Sequence, residues 1–490
     1  MKFIYALALV LFTQLGFSQQ LPKELQGIDD EIIQLMEEYN TIGLSVAIVK
    51  DDKVLYAKGF GYRDFKQKLP VTEHTLFHIA SMSKAFTGSL LGVLESNNRL
   101  SLKDKPEMYV PNFQFYNDKM NNLITIEDLL SHKSGIGTQG VSLELFPIEN
   151  KLKTVQRLRY LKPEAEVKNS WEYSNMGYTL AGTIVEQITN KSWDANIQEK
   201  IFSPLKMNNS CTTLEDMKRS NNFSLGYGMY NGKSEKVPYQ NYYAFGPAGS
   251  IKSSIKDLSN WMRIWLNKGV FNGNQIIPQE YIYKASRPQN VKYNEEYTQD
   301  SFLFSEGFGW RIRSWNGYYR LCHGGNTHGF SSVMELFPFE KIGIVVLCNQ
   351  SNSTLPYIIS DMISKKLFQL PSENEYPVLV SDIYKPGEDK SFNRAKMPTH
   401  SINDFLGTYY ANGFGRIEII KKEGKLRAVF PTYTFKLEHS NYNNFYLKGM
   451  KDFKESFNPE FTIKFVDNAK GKISMLKMYA QKEPIKFNKE

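Results

Sequence analysis

FHIASMSKAFTGSLLGVL, residues 77–94, is the stretch around which the rest of the chain can be organised. Phe86, Leu90, Leu91 and Leu94 recur at helical spacing and predict a buried amphipathic helix. Ser81 falls in its first turn and Lys84 three residues on, so the two share a face and the amine can reach the hydroxyl. Burial against Phe77 and Phe86, together with the positive end of the helix dipole, would disfavour the ammonium form of Lys84. A neutral amine beside a serine hydroxyl makes a nucleophile. The pattern is short, however, and Ser-x-x-Lys recurs at Ser203/Lys206, Ser253/Lys256 and Ser474/Lys477. Ser203 precedes Pro204 and Ser474 lies in an alternating, strand-like run, and capping or solvation accounts for such copies. The Ser81 copy must be defended by its surroundings.

Outward from that helix, the chain begins MKFIYALALVLFTQLGFSQQ, with one basic residue, an apolar run from Phe3 to Phe17, and Gly16 and Ser18 before a polar stretch. This is a secretory signal pattern with cleavage expected after Ser18, and its apolar run is short for a bilayer and broken by Thr13 and Gln14. A periplasmic or secreted protein with no membrane span after processing is the expectation. Removing residues 1–18 leaves 490 − 18 = 472 residues, room for one large domain and a smaller one. The net charge of +9 is spread without a long basic cluster, which gives nucleic-acid binding little support. Three cysteines, Cys211, Cys322 and Cys348, cannot all pair within the chain and show no Cys-x-x-Cys spacing, and the histidines form no ligand cluster, so no metal is expected. Cys322 beside His323 reads as a small core residue rather than a thiol catalyst.

A helix is expected over Ile28 to Tyr39, followed by a hairpin turning at Asp51-Asp52. Residues 100–113 form a Pro-punctuated loop, and Thr125 and Asp128 a capping box ahead of a helix closed near Gly135, with His132 serving as a cation in its last turn. Helical runs at Met176–Ile188 and Trp193–Ile201 make the middle mainly helical. From Gly307 short β-rich runs return, and helical spacing resumes from Leu355 to Phe368, so the first hairpin and the late strands must meet in one sheet. The resulting expectation is an α+β domain over 19–370, a Pro-rich, charged linker over 371–400, and an all-β domain over 401–490 with a hairpin at Glu423-Gly424.

Two further pieces follow Ser81 and Lys84 in order: WEYSN, residues 171–175, and CHGGN, residues 322–326. Tyr-x-Asn alone is weak, since Tyr239/Asn241, Tyr410/Asn412 and Tyr442/Asn444 also match. The ordered set SMSK, YSN and HGG, supported by ITIEDLLSHKSG, NMGYTLAGTIVE, GPAGSIKSSIKDL and HGGNTHGFSS, resembles the serine hydrolases of the class C β-lactamase and low-molecular-weight penicillin-binding-protein family over roughly residues 25 to 370. The tail, with DFLGTYY and LEHSNYNNFYL, is similar to the small β-barrel-like domain often fused behind such hydrolases.

The resemblance implies an antiparallel sheet flanked by helices, an all-helical lobe, and a site between them. It makes Ser81 the acylated nucleophile and Lys84 its base partner, with Tyr173 sharing proton transfer; which of the two takes the Ser81 proton stays open. Asn175 would orient substrate and Lys84, and the backbone N–H groups of Ser81 and Asn326 would form the oxyanion hole. No cofactor is implied. Gly324 and Gly325 would clear space for substrate to approach the strand edge. Family β-lactamases carry Lys-Thr-Gly where this chain has His323-Gly324-Gly325, and a mostly neutral histidine is a weaker carboxylate anchor. That departure shifts the expectation toward a D-amino-acid peptidase, amidase or esterase on a small-molecule or short-peptide substrate. A β-lactamase or D-alanine carboxypeptidase is the alternative, and a catalytically silent module binding cell-wall peptides or a protein is the rival from another class. Trp171, Tyr242, Tyr243, Phe245 and Phe304 are candidates to line a pocket or simply core.

Overall fold

The computed structural model describes residues 21–137, 145–148, 150–230, 233–239, 243–292, 298–299, 301–371, 396–449, 461–479 and 483–490. The proposed signal segment and most of the expected linker lie outside the described residues, as does Tyr242. An antiparallel sheet of nine strands forms the frame: β1 (Gly43–Lys50), β2 (Lys53–Asp64), β3 (Leu69–Pro70), β4 (Asn290–Val291), β5 (Phe304–Glu306), β6 (Arg311–Trp315), β7 (Tyr318–Thr327), β8 (Phe330–Phe337) and β9 (Ile342–Cys348), in the order β4-β5-β6-β7-β8-β9-β1-β2-β3. The chain's first strand pairs with its last in this sheet, Leu44 opposite Cys348 through Lys50 opposite Ile342. The β1–β2 hairpin turns at Asp51 and Asp52, both at positive φ, the geometry that matches strand twist in a two-residue turn.

Alternation along β1 divides the core. Leu44, Val46 and Ile48 pack with α1 (Ile28–Glu38) and α5 (Leu355–Leu367) on one face, while Ala47 and Val49 join the core on the other. That second face carries α2 (Ser83–Ser96), α3 (Asn175–Thr189) and α4 (Ile255–Leu266). The expected burial of Phe86, Leu90, Leu91 and Leu94 is observed. Phe86 stacks on Trp261 at 3.7 Å, two residues round from Lys84 and therefore on another side of α2, so it does not line the amine as expected. The capping box at Thr125 and Asp128 is present, but its helix ends at Leu130, and His132 rather than Gly135 is the first left-handed residue after it.

Behind the sheet domain, strands over Gly407–Ala411, Gly415–Lys422, Lys425–Val429, Thr434–His439, Asn444–Gly449, Thr462–Asp467, Ile473–Tyr479 and Ile485–Lys489 close an antiparallel barrel in chain order. Glu423 and Gly424 turn one of its hairpins. Inward-facing Tyr409, Ile417, Phe435, Phe465, Leu476 and Phe487 are buried, so the interior is packed. The barrel docks on the helical lobe through Phe146, whose ring lies 5.4 to 5.9 Å from Phe430, Phe487 and Phe414. Among the described residues no helix is long and apolar enough to cross a membrane.

Candidate active site

Ser81 lies in a tight turn, Ala80–Met82, that leads into α2 rather than in the helix proper. Ala80, immediately before it, has φ +46°, a conformation that costs an alanine about 1–2 kcal/mol and must be held by its surroundings. The Ala80 N–H donates to His78 Nδ1 at 3.2 Å, the Ser83 hydroxyl donates to the Ala80 carbonyl at 2.7 Å, and the Ile251 N–H donates to Ser83 Oγ at 3.1 Å. The serine is thereby turned out at the head of the helix, half-buried, with Lys84 still three residues away.

Lys84 is fully buried, and its Nζ touches three oxygens: Ser81 Oγ at 3.2 Å, Asn175 Oδ1 at 2.8 Å and the Ala248 carbonyl at 2.9 Å. Burial, and then the nearby Arg311 charge, holds its pKa well below the usual lysine value, against a weaker opposing pull from Glu306. Asn175 opens α3, whose cap Ser174 accepts from the Gly177 N–H at 3.1 Å. Ala248 belongs to a short helical turn, Gly246–Gly249, that is pinned where the Thr87 hydroxyl donates to the Pro247 carbonyl at 2.6 Å and Trp193 Nε1 donates to Thr87 Oγ1 at 3.0 Å. A backbone carbonyl carries no side-chain signature, and the sole sequence signal for it was the GPAGSIKSSIKDL segment.

Tyr173 sits over Lys84, with Nζ 4.7 Å from its ring centre. His132 packs against that ring at 4.5 Å and is itself buried. Its Nδ1 accepts from the Ser174 N–H at 3.1 Å and its carbonyl accepts from the Glu172 N–H at 3.0 Å, so one residue holds the Tyr-Ser-Asn segment twice. Burial, the largest cause, pushes the imidazole well below its ordinary pKa. The expected cation at a helix end is therefore a neutral hydrogen-bond acceptor, because tertiary packing removes the water that would support the charge.

The third segment lies in β7. Its ladder to β6 ends at Arg311 opposite Cys322, so from His323 to Thr327 it pairs with β8 alone among the described residues. His323 is buried, 6.4 Å from the Tyr173 ring, and Nδ1 meets the Gly324 carbonyl at 2.6 Å, which places the proton on Nδ1. Nε2 has no partner among the described residues. Burial, and then the nearby Arg311 charge, holds this imidazole well below its ordinary pKa. A Cβ on Gly325 would strike the Ile79 carbonyl, and one on Gly324 the Tyr357 hydroxyl. The two glycines thus let the strand cross the Ser81 turn and α5, a packing reason beside the expected one of clearing a path for substrate. Asn326 turns its side chain to Asn352 and Ser331, leaving its backbone beside the site.

Of the candidate aromatics, Trp171 lies 6.2 Å from the Tyr173 ring, whereas Phe304 packs under Arg313. Cys322 is half-buried, and desolvation raises its thiol pKa, which does not suit a thiol catalyst. The competing Ser-x-x-Lys copies separate: Ser203 and Lys206 are exposed, Ser253 is buried against Ser210 with Lys256 exposed, and Ser474 and Lys477 lie along a barrel strand.

Comparison with known proteins agrees with this geometry. The Beta-lactamase family model matches residues 28–358, and the model for a domain of unknown function, DUF3471, matches residues 393–489. Protein flp of Staphylococcus aureus strain N315 is 30% identical over 396 residues, covering 79% of this chain and 74% of its own. Unguisins hydrolase ungD' of Aspergillus campestris is 26% identical over 433 residues, covering 81% and 78% respectively. Among solved structures, the octameric penicillin-binding protein homologue from Pyrococcus abyssi superposes with TM-score 0.64 at 24% identity, over 94% of this chain and 99% of that one. A penicillin binding protein from Bacillus halodurans superposes with TM-score 0.55 at 18% identity, over 68% and 98%.

Proposed function

The chain belongs to the beta-lactamase family of penicillin-binding-protein-like serine hydrolases, and from that premise we propose that it cleaves a small amide or ester through a covalent acyl-Ser81 intermediate. The observation that carries this is the environment of the Lys84 amine. A neutral amine has two N–H groups and one lone pair. Asn175 Oδ1 and the Ala248 carbonyl can only accept, so they use both N–H groups. The lone pair then faces Ser81 Oγ, the one partner with a proton to give.

In this reading Ser81 Oγ attacks the substrate carbonyl while its proton passes to Lys84 Nζ. The oxyanion is held by the backbone N–H groups of Ser81 and Asn326. As the C–N or C–O bond breaks, the leaving group takes a proton back through Tyr173, and Lys84 is restored to the neutral amine. Water then attacks the acyl ester, gives up a proton along the same route, and frees the acid and Ser81 Oγ–H. Asn175 positions Lys84, and the edge of β7 from His323 to Asn326 that no strand pairs among the described residues offers backbone groups to an extended, peptide-like substrate.

His323 stands where family β-lactamases have lysine, and its buried, neutral ring offers an acceptor nitrogen rather than a charge. That supports a substrate presenting a hydrogen-bond donor or an apolar group over a penicillin or D-alanine carboxylate, and hence a D-amino-acid peptidase, amidase or esterase. The intact Ser81–Lys84 contact weighs against a silent binding module, and a relative named for hydrolysis of unguisins weighs the same way. We read residues 1–18 as a secretory signal and the mature enzyme as periplasmic or secreted, which N-terminal sequencing of exported protein would test.

The test is labelling with a fluorophosphonate, wild type against Ser81→Ala, followed by turnover of a short nitrophenyl ester, D-alanyl anilides and a chromogenic cephalosporin. Labelling should vanish in Ser81→Ala, and ester or anilide turnover should exceed cephalosporin turnover. Equal labelling of both proteins removes Ser81 from the mechanism.

A further inference from the structure

Where the barrel meets the helical lobe there is a cleft of about 560 Å³, within the size range of small-molecule sites. One wall is the lobe's helix Lys151–Gln156 and the turn Arg157–Tyr160; the other is the barrel's first hairpin, at Tyr410 and Gly413-Phe414-Gly415. Gly413 has φ +82°, and a Cβ there would lie 2.7 Å from Tyr160 Cβ, so only glycine allows the hairpin this close. Three cations line the cleft, Lys153, Arg157 and Arg159, and among the described residues no Asp or Glu does.

Arg157 is the informative member. It is 8% exposed, yet its guanidinium donates only to carbonyls, Phe146 O at 2.6 Å from the lobe and Phe414 O at 3.3 Å from the barrel. Arg159 donates to Gln114 Oε1 at 3.0 Å, and none of the three cations is in an ion pair among the described residues. Buried Lys151 and Arg320 meet carboxylates, Glu186 and Asp194 for the first and Glu335 for the second, whereas buried Lys252, like Arg157, donates to a carbonyl, that of Thr212 at 2.9 Å. Three positive charges around one cleft, with no ion pair among the described residues and one of them desolvated, attract an anion. The exposed rings of Tyr160 and Tyr410, one on each domain, leave room for a flat or apolar body beyond the charged head.

We propose that this cleft between the domains binds a small ligand bearing a phosphate or carboxylate oxyanion, held by Arg157 and Arg159 with Lys153 and flanked by Tyr160 and Tyr410. The site shares no residue with the acyl-transfer machinery, so it stands or falls separately from the proposed reaction. A bound anion would join lobe to barrel at the point where Arg157 already spans them.

The test is calorimetric titration of the full chain with phenyl phosphate, benzoate, inorganic phosphate and phenol, repeated at raised salt and on Lys153→Ala/Arg159→Ala and Tyr410→Ala proteins. Lys153, Arg159 and Tyr410 are surface positions, and unchanged circular dichroism spectra and denaturant melts certify their folds. Expected is one equivalent of phenyl phosphate or benzoate, bound more tightly than phenol and weakened by salt. The double variant should lose about tenfold or more in affinity, the effect of about one charge-assisted contact, and Tyr410→Ala should weaken the aromatic anions but not inorganic phosphate. The ranking of phenyl phosphate against benzoate identifies which oxyanion the site takes. Absence of binding by both aromatic anions, or binding unchanged in the double variant, overturns the proposal.

Discussion

Replacing Lys84 with methionine separates the chemistry of the site from its packing. Methionine is unbranched, apolar and adaptable, so little contact area is lost. The substitution leaves Asn175 Oδ1 and the Ala248 carbonyl without the donor they now have at 2.8 and 2.9 Å, a loss of about 1–3 kcal/mol each. Relief from burying an amine offsets part of that. Catalysis has no such compensation. A general base contributes about 10²–10⁴ in rate, or about 2.7–5.5 kcal/mol of transition-state stabilisation. Stopped-flow acylation by 4-nitrophenyl acetate should therefore slow by at least about a hundredfold while the protein stays folded.

The same variant reports the charge state. Lys84 in the folded chain has its pKa well below the ordinary 10.5, through burial first and Arg311 second. Between the folded value and 10.5 the unfolded chain binds a proton that the folded chain does not, so wild-type stability rises with pH across that window, by up to about 1.4 kcal/mol per unit. Lys84→Met lacks this contribution. Denaturant melts from pH 7 to 10 should show the wild type gaining on the variant as pH rises. Acylation within tenfold of wild type, together with a stability difference that does not move with pH, would refute both the base assignment and the neutral amine.

His78, His132 and His323 are all held well below 6.5, chiefly by burial, so stability should fall as pH drops below 6.5 and the unfolded chain takes up protons the folded chain refuses. In His132→Asn, which keeps an acceptor for the Ser174 N–H, denaturant melts between pH 5 and 6.5 should show a shallower slope by about 1.4 kcal/mol per unit. Gly325→Ala drives a methyl into the Ile79 carbonyl beside the nucleophile turn. Ester turnover should drop by about a hundredfold, as for a misplaced reacting group, with an unchanged circular dichroism spectrum. Phe146→Ala removes the ring wedged among Phe414, Phe430 and Phe487 and should cost about 3–5 kcal/mol at the lobe–barrel contact. Hydrogen exchange should rise around residues 413–415 while Ser81 labelling persists.

Most of the frame was legible because it follows local chemistry. Alternation placed the strands, Asp51-Asp52 and Glu423-Gly424 marked their turns, and the apolar face of α2 placed Ser81 and Lys84 together. What could not be read depends on groups that meet only in three dimensions. The Ala248 carbonyl belongs to the backbone and has no residue-type signature. His132 looked like a cation at a helix end, and becomes an acceptor only because Tyr173 and Tyr178 enclose it. Phe86 was close to Lys84 in sequence but points elsewhere, and the reason for the two glycines of β7 lies in Ile79 and Tyr357, which local patterning cannot place beside them.

The lowered proton affinity of Lys84 is thus a consequence of how tightly the elements cross. Gly309 lies against the first turn of α2, where a Cβ would collide with Ala85 backbone, and Gly182 lets Pro247 sit against α3. These approaches exclude water from Lys84 and bring the Ala248 carbonyl to it in one step. Charge alone would not suffice, since Glu306 lies near enough to favour the ammonium form; but Glu306 is 3.6 Å from Arg311, whose own effect on Lys84 is the larger and opposite one. Removing water and offering only two obligate acceptors leaves the amine with one lone pair and the serine with one proton, facing each other across 3.2 Å. On the proposed reading, Ser81 is prepared for attack by packing before any substrate arrives.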